Sequence, residues 1–432
     1  MLAEGIVKDF KETVVHFFWC RRLIILKYLD FVDLTHEPKP TDLICTFTLE
    51  PDGVSLKEAA GAVAAESSTG TWTELTTLKA YVEKLAARVY SLEDNTAKIA
   101  YPVELFEAWN MPDILSSVAG NVFGLKALSN LRLIDIELPI ELTKTFQGPK
   151  YGISGIRRLL EVPERPLIGT IIKPKLGLKT LDHARVAYEA WKGGCDIVKD
   201  DENLSSQEFN PFEDRVVETL DCRDQAEAET GEKKMYMANI TAETNVMLNR
   251  AEFIQDHGGE YAMVDILTCG WSALQTLRDQ EFKLVIHAHR AGHAALTKNP
   301  KHGIAMRVIA KVARVIGVDQ LHVGTVVGKM SETKQEVLEN VDALKLEMHG
   351  LNPVMPVASG GLHPRLVPAL IETFGRDVVI QAGGGIHGHP EGTVAGAMAM
   401  RQALDATMKE ISLAEYAKTH KELQAALETW KT

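Results

Sequence analysis

The chain has 432 residues, 45% of them apolar and 25% charged, and a formal net charge of −12 at pH 7. That length exceeds one ordinary core and predicts a soluble protein of two domains, one of them a large barrel. The acidic balance excludes a general nucleic-acid binder or an anionic-membrane binder, so an anionic substrate must meet a local cluster of basic groups.

Residues 1–29 read as an N-terminal extension. Its stretch 14–29 is rich in Phe, Ile and Leu, but His16, Arg21, Arg22 and Lys27 make it too charged and too short for a membrane span. No small-residue cleavage site follows in the order of a signal peptide. The five cysteines form no CxxC pair, which fits reduced thiols in a cytoplasm.

Residues 30–148 predict an α+β domain. Strands are expected at 43–49, 97–101 and 133–138, with helices at 56–66 and 114–128. From 149 to 432 the pattern becomes regular. Apolar runs at 167–172, 196–198, 235–240, 262–267, 284–288, 320–323, 354–358 and 378–381 alternate with helical segments such as 181–191, 305–316 and 365–374. Eight strands alternating with helices predict a (β/α)8 TIM barrel ending in a helical tail. An open doubly wound sheet would carry a Gly-rich dinucleotide turn after its first strand, and none is present.

Barrel chemistry gathers at the C-terminal ends of the strands. Those ends read Lys173 and Lys175; Lys199-Asp200-Asp201-Glu202; Asn239; Asp265; and His287-Ala288-His289-Arg290. They continue with His322 and Gly324, then Ser359-Gly360-Gly361, then Gly383-Gly384-Gly385. Alternation along a strand points Lys199 and Asp201 the same way, with Glu202 following at the turn. Paired carboxylates suit a hard cation such as Mg²⁺. The lysine ahead of them becomes a ligand only if its charge is inverted, for example by CO₂ adding to the neutral amine as a carbamate. The glycine turns at strands seven and eight suit a phosphate, and Arg290 with His322 suits a second anion. The histidine motif with His293 has the spacing of metal ligands or of structural residues; beside a carboxylate site, His289 is better placed for acid–base work. Lys173, Lys175 and Lys329 converge on the mouth.

The chain also contains Ala64-Ala65-Glu66-Ser67-Ser68-Thr69-Gly70-Thr71-Trp72-Thr73, Gly120-Asn121-Val122-Phe123-Gly124, Lys173-Pro174-Lys175-Leu176-Gly177 and Gly324-Thr325-Val326-Val327-Gly328-Lys329. With Lys199 to Asn203, His287 to His293 and Gln381 to Pro390, these motifs in this order resemble the large subunit of ribulose-1,5-bisphosphate carboxylase/oxygenase (RuBisCO), over about residues 30 to 430. The Gly384-to-Pro390 segment and Glu415-Tyr416-Ala417-Lys418 resemble its archaeal, form III branch.

The resemblance implies an enzyme that adds CO₂ or O₂ to the enediolate of ribulose 1,5-bisphosphate. Lys199 would be the carbamylated Mg²⁺ ligand beside Asp201 and Glu202, and its carbamate would take the C3 proton. Lys173 would assist enolisation and later protonation, supported by Lys175. His289 would serve hydration and cleavage, and Lys329, oriented by Glu66, would stabilise the new carboxylate. Asn121 would hold the intermediate. Thr71, Trp72, Lys329, Gly360, Gly361, Gly383 and Gly384 would bind one phosphate, and Arg290 and His322 the other; Ser359, Gln381 and His293 complete the substrate contacts. Glu66 and Asn121 reach a partner's barrel in this family, so a homodimer with shared sites is the implied minimum, open to further assembly of dimers and without a small subunit.

Ile171, Gly292 and Met330-Ser331-Glu332 depart from plant-type enzymes and bear on CO₂/O₂ selectivity. The nearest rival is a RuBisCO-like enolase or isomerase that fixes no CO₂; retention of Lys329, Glu66 and Asn121 argues against it. An amidohydrolase would carry its His-x-His on the first strand, whereas here it lies on the fifth.

Overall fold

The structure, a computed structural model, describes residues 27–73, 75–328 and 332–431. Most of the 14–29 stretch, and Lys329, lie outside these residues. Backbone contacts divide the chain into two compact units. The first runs to Glu107 and includes Asp113–Pro139; the second comprises Ala108–Pro112 and everything from Ile140 onward.

In the first unit, β1 (Leu43–Pro51), β2 (Arg88–Glu93), β3 (Thr96–Tyr101) and β4 (Leu128–Glu137) form an antiparallel sheet in the order β4-β1-β3-β2. Leu43, Cys45, Phe47 and Leu49 alternate into the core, as a strand with one strongly buried face requires. Helix α1 (Leu56–Glu66) packs against β1 with a face of alanines and Val63. Its start is fixed by a capping box. Ser55 Oγ accepts from the Glu58 amide at 3.2 Å, and Glu58 returns a carboxylate to the Ser55 amide at 3.0 Å. Such a cap stabilises a helix by about 1 kcal/mol.

Two expectations for this unit need correction. β2 was not foreseen, because Arg88-Val89-Tyr90-Ser91-Leu92-Glu93 carries charge at both ends. The helix expected at 114–128 is instead a helix over Met111–Val118, a 3-10 turn at Asn121–Gly124, and the start of β4. Gly120 breaks it: a Cβ there would sit 2.1 Å from the Ser116 carbonyl oxygen.

The second unit is a closed parallel barrel of eight strands. They are β5 (Leu167–Ile171), β6 (Ile197–Lys199), β7 (Met235–Asn239), β8 (Tyr261–Asp265), β9 (Val285–His289), β10 (Gln320–His322), β11 (Met355–Ser359) and β12 (Val379–Gln381). Each falls within two residues of its expected bounds. Helix α2 (Gly152–Leu160) precedes the barrel. Its Ile153, Ile156 and Leu160 join Leu167, Ile197 and Val379, near the starts of the strands, in one buried cluster. This apolar floor leaves the opposite, C-terminal ends free for polar groups. The helices between strands include α3 (Thr180–Lys192) and α4 (Phe212–Thr230), which lend side chains to the site. No helix among the described residues is long and apolar enough to cross a membrane.

Candidate active site

Lys199 ends β6 between Ile171 on β5 and Met237 on β7, and it is fully buried. Its Nζ donates to the Asp200 carbonyl at 2.6 Å and lies 3.5 Å from Glu202 Oε2. Burial pushes the amine's pKa down, against the pull of Glu202, Asp201 and Asp200. Desolvation thus favours the neutral amine, the form that can attack CO₂.

Asp200 points away from the mouth, as strand alternation requires. Its carboxylate accepts from Tyr236 Oη at 2.7 Å, the Asn239 amide at 2.9 Å and Arg215 Nε at 3.1 Å, and faces His183 Nε2 at 3.0 Å. Burial opposes its ionisation, but Arg215 and His183 outweigh that and hold the carboxyl well below the usual range. His183 comes from α3 and Arg215 from α4, so two helices clamp the turn that presents Asp201 and Glu202.

Asp201 Oδ2 receives Lys173 Nζ at 2.7 Å. Glu202 is drawn down to about 2: burial raises it, and Lys199 and His289 more than compensate. Lys175, more exposed, donates to Asn203 Oδ1 at 3.2 Å. With Lys199 as an ammonium, the cluster is two carboxylates interleaved with two cations and does not suit a divalent metal. Were Lys199 to carry CO₂, three anionic oxygen-bearing groups would meet there, a donor set that would fit Mg²⁺.

His289 is the register partner of Asp265 on β8. Its Nδ1 lies 3.2 Å from Asp265 Oδ1 and its Nε2 3.6 Å from Glu202 Oε2. Asp265 thereby sets which ring nitrogen faces the carboxylate cluster. His287 is buried in a relay instead: Nδ1–H donates to Gln320 Oε1 at 2.8 Å, and His322 Nε2–H donates back to His287 Nε2 at 3.0 Å. His322 Nδ1 then accepts from Ser359 Oγ at 2.8 Å. Burial holds both rings neutral, His287 at about 3 and His322 well below its ordinary value.

Around these groups lie the anion-binding candidates. Arg290 is buried and paired with Glu332 at 2.6 Å. His293 Nδ1 lies 2.9 Å from Thr297 Oγ1, and burial, Arg290 and His289 lower it to about 3. Gln381 ends β12 fully buried with neither amide atom partnered, so its polar head is free to bind a ligand. Gly360 and Gly361 adopt φ of 120° and 75°, a region that favours glycine. A Cβ on Gly383 would lie 3.2 Å from Lys173 Cε, so the lysine stem runs over this turn; Gly384 is exposed.

The barrel thus gathers Lys173, Lys199, Asp201, Glu202 and His289 through direct contacts. Glu66, Thr71, Trp72 and Asn121 lie in the first unit. Glu66 ends α1 and accepts from Tyr28 Oη at 3.3 Å, Trp72 is 80% exposed, and Asn121, itself exposed, opens the 3-10 turn. Asp200, Asp265 and Glu332 were not assigned roles from sequence. The first two stood at strand ends, which was the available signal.

Two family models cover nearly the whole chain. Residues 152–430 match the catalytic domain of the ribulose bisphosphate carboxylase large chain, and residues 30–142 match its N-terminal domain. The chain belongs to the ribulose bisphosphate carboxylase large-chain family. Among RuBisCO relatives, the ribulose bisphosphate carboxylase of Methanocaldococcus jannaschii is 50% identical, over 93% of this chain and 100% of its own length. An octameric RuBisCO from Pyrococcus horikoshii, crystallised with sulfate, superposes with a TM-score of 0.92 at 51% identity, over 94% of this chain and 98% of that one. A dimeric archaeal RuBisCO from Hyperthermus butylicus gives 0.87 at 46% identity, over 93% and 99%. These likenesses make the chain an archaeal-type RuBisCO large subunit.

Proposed function

We propose that the protein is a ribulose-bisphosphate carboxylase/oxygenase. It converts ribulose 1,5-bisphosphate and CO₂ to two 3-phosphoglycerates, and with O₂ it gives 3-phosphoglycerate and 2-phosphoglycolate. The observation that carries this reading is the buried, desolvated Lys199 beside Glu202 and two residues ahead of Asp201, which Lys173 pairs, at the mouth of the barrel.

CO₂ forms a bond to the neutral Lys199 nitrogen as an N–H proton leaves to solvent, turning an uncharged amine into an anionic carbamate. Lys199 so modified, Asp201 and Glu202 would hold Mg²⁺, which when bound supplies Lewis acidity toward substrate oxygens. Lys173, held by Asp201, moves protons at the carbons that enolise and are later reprotonated, with Lys175 as its support. His289, oriented by Asp265, handles protons during hydration and cleavage. Arg290, His293 and His322 anchor one phosphate. Ser359, Gly360, Gly361, Gln381, Gly383 and Gly384 hold the other end with Thr71 and Trp72, and Lys329 covers the nascent carboxylate.

Glu66, Thr71, Trp72 and Asn121 complete the barrel of a partner, making a homodimer the working unit, without a small subunit and in the manner of form III. The setting is cytoplasmic, in keeping with the free thiols of Cys195, Cys222 and Cys269. Purified protein given Mg²⁺, ribulose bisphosphate and ¹⁴C-bicarbonate is expected to release labelled 3-phosphoglycerate. Unlabelled product with intact proton exchange at C3 would instead indicate the enolase or isomerase reading.

A further inference from the structure

Arg290, which follows β9, does not wait unpaired for a ligand. Its Nη2 donates to Glu332 Oε1 at 2.6 Å, while Nη1 and Glu332 Oε2 are both buried and have no partner. An arginine–carboxylate pair normally closes two parallel bonds, and here one is made and one is missing on each side. The cradle is narrow. Gly324, at φ +92°, follows β10, and a Cβ there would lie 3.0 Å from Arg290 Nη2 and 3.1 Å from Glu332 Oε1. Glu332 is held close to this spot by the capping box that opens the next helix, in which Thr333 and Glu336 bond reciprocally.

We propose that Glu332 is an internal competitor, an anion that occupies Arg290 in the free enzyme and must be displaced by any phosphate that binds there. A phosphate offers three oxygens and can satisfy both Nη1 and Nη2, so it displaces the carboxylate at the cost of the one bond already made. Competition lowers apparent affinity by the fraction of Arg290 that is free. The penalty is the same factor for every ligand that uses Arg290, so a bisphosphate, with a second anchor at the far side of the mouth, has affinity to spare, whereas a monophosphate or inorganic phosphate has only one anchor. Glu332 therefore lowers occupancy of this site by weakly held monophosphates, the three-carbon products among them, while the bisphosphate still binds. The inference deepens the proposed reaction and rests on Arg290 as an anion ligand.

The test is equilibrium titration of the full-length protein, without Mg²⁺ or CO₂, using inorganic phosphate, 3-phosphoglycerate and ribulose bisphosphate. Glu332→Gln keeps the volume and one hydrogen bond but loses the charge. It is expected to bind inorganic phosphate and 3-phosphoglycerate at least tenfold more tightly at Arg290, with a gain of similar factor for the bisphosphate. Adding Arg290→Gln should abolish that gain. Equal phosphate affinity in wild type and Glu332→Gln overturns the proposal, as does a gain that survives loss of Arg290. If Glu332→Gln does not fold, Glu332→Asp, which withdraws the carboxylate, is read by the same criteria. A wild type that fails to fix CO₂ would sink the proposed reaction and leave this titration decisive on its own.

Discussion

Asp265 shows how one residue acquires meaning only through its neighbour. It ends β8, accepts the Ala291 amide at 2.7 Å, and fixes His289 Nδ1 at 3.2 Å so that Nε2 faces Glu202. Asp265→Asn keeps size but removes the charge that holds this tautomer. Its kcat is expected to fall roughly tenfold to a hundredfold, the usual range for removing a group that orients a reactive ring. KM should change less, and a kcat equal to wild type would reduce Asp265 to a structural role. Asp265 was visible in the sequence as a polar strand end. Its pairing with His289 was not, because that depends on the register of two strands 24 positions apart in a closed sheet. The Arg290–Glu332 pair was hidden for the same reason: the two are 42 positions apart, and no spacing rule links them.

At the scale of elements, the barrel separates stability from chemistry. Ile156 is fully buried on α2, beneath the strands and at the opposite end from Lys199. Ile156→Ala is expected to cost roughly 2–5 kcal/mol of unfolding free energy through lost burial and the cavity left behind. Denaturant melts would show this loss, while KM for the bisphosphate stays near wild type. A large change in KM with little loss of stability would contradict the division. The eight barrel strands were legible because strands buried on both faces appear as bare apolar runs between helical periods. β2 was not, since Arg88 and Glu93 mask its alternation. The segment after Val118 kept an apolar rhythm, but Gly120 ended the helix for a steric reason that periodicity does not register.

For the molecule as a whole, the buried histidines set the response to acid. His287 and His293 are lowered to about 3 and His387 to about 4, in each case first by burial. Their ordinary value is about 6.5. Below that pH the unfolded chain takes up these protons while the folded protein does not. The stability they contribute is full above about pH 6.5 and is lost as the pH falls toward about 4 for His387 and about 3 for His287 and His293, by roughly 1 kcal/mol per pH unit for each histidine. Glu202, drawn down to about 2, adds a loss only at lower pH, through the window between the ordinary carboxylate range and 2. Denaturant midpoints should therefore fall steadily from pH 6.5 to 4, before most carboxylates titrate. A flat profile over that interval would show that these rings are protonated in the folded state.

The floor built by Ile153, Ile156 and Leu160 has a consequence for traffic. A barrel filled from below is a cul-de-sac, so bisphosphate, dissolved gas and both three-carbon products share a single doorway. Each turnover must then be emptied through the opening by which the next begins. Crowding at that threshold, and not only the height of the chemical barrier, becomes a brake on the cycle.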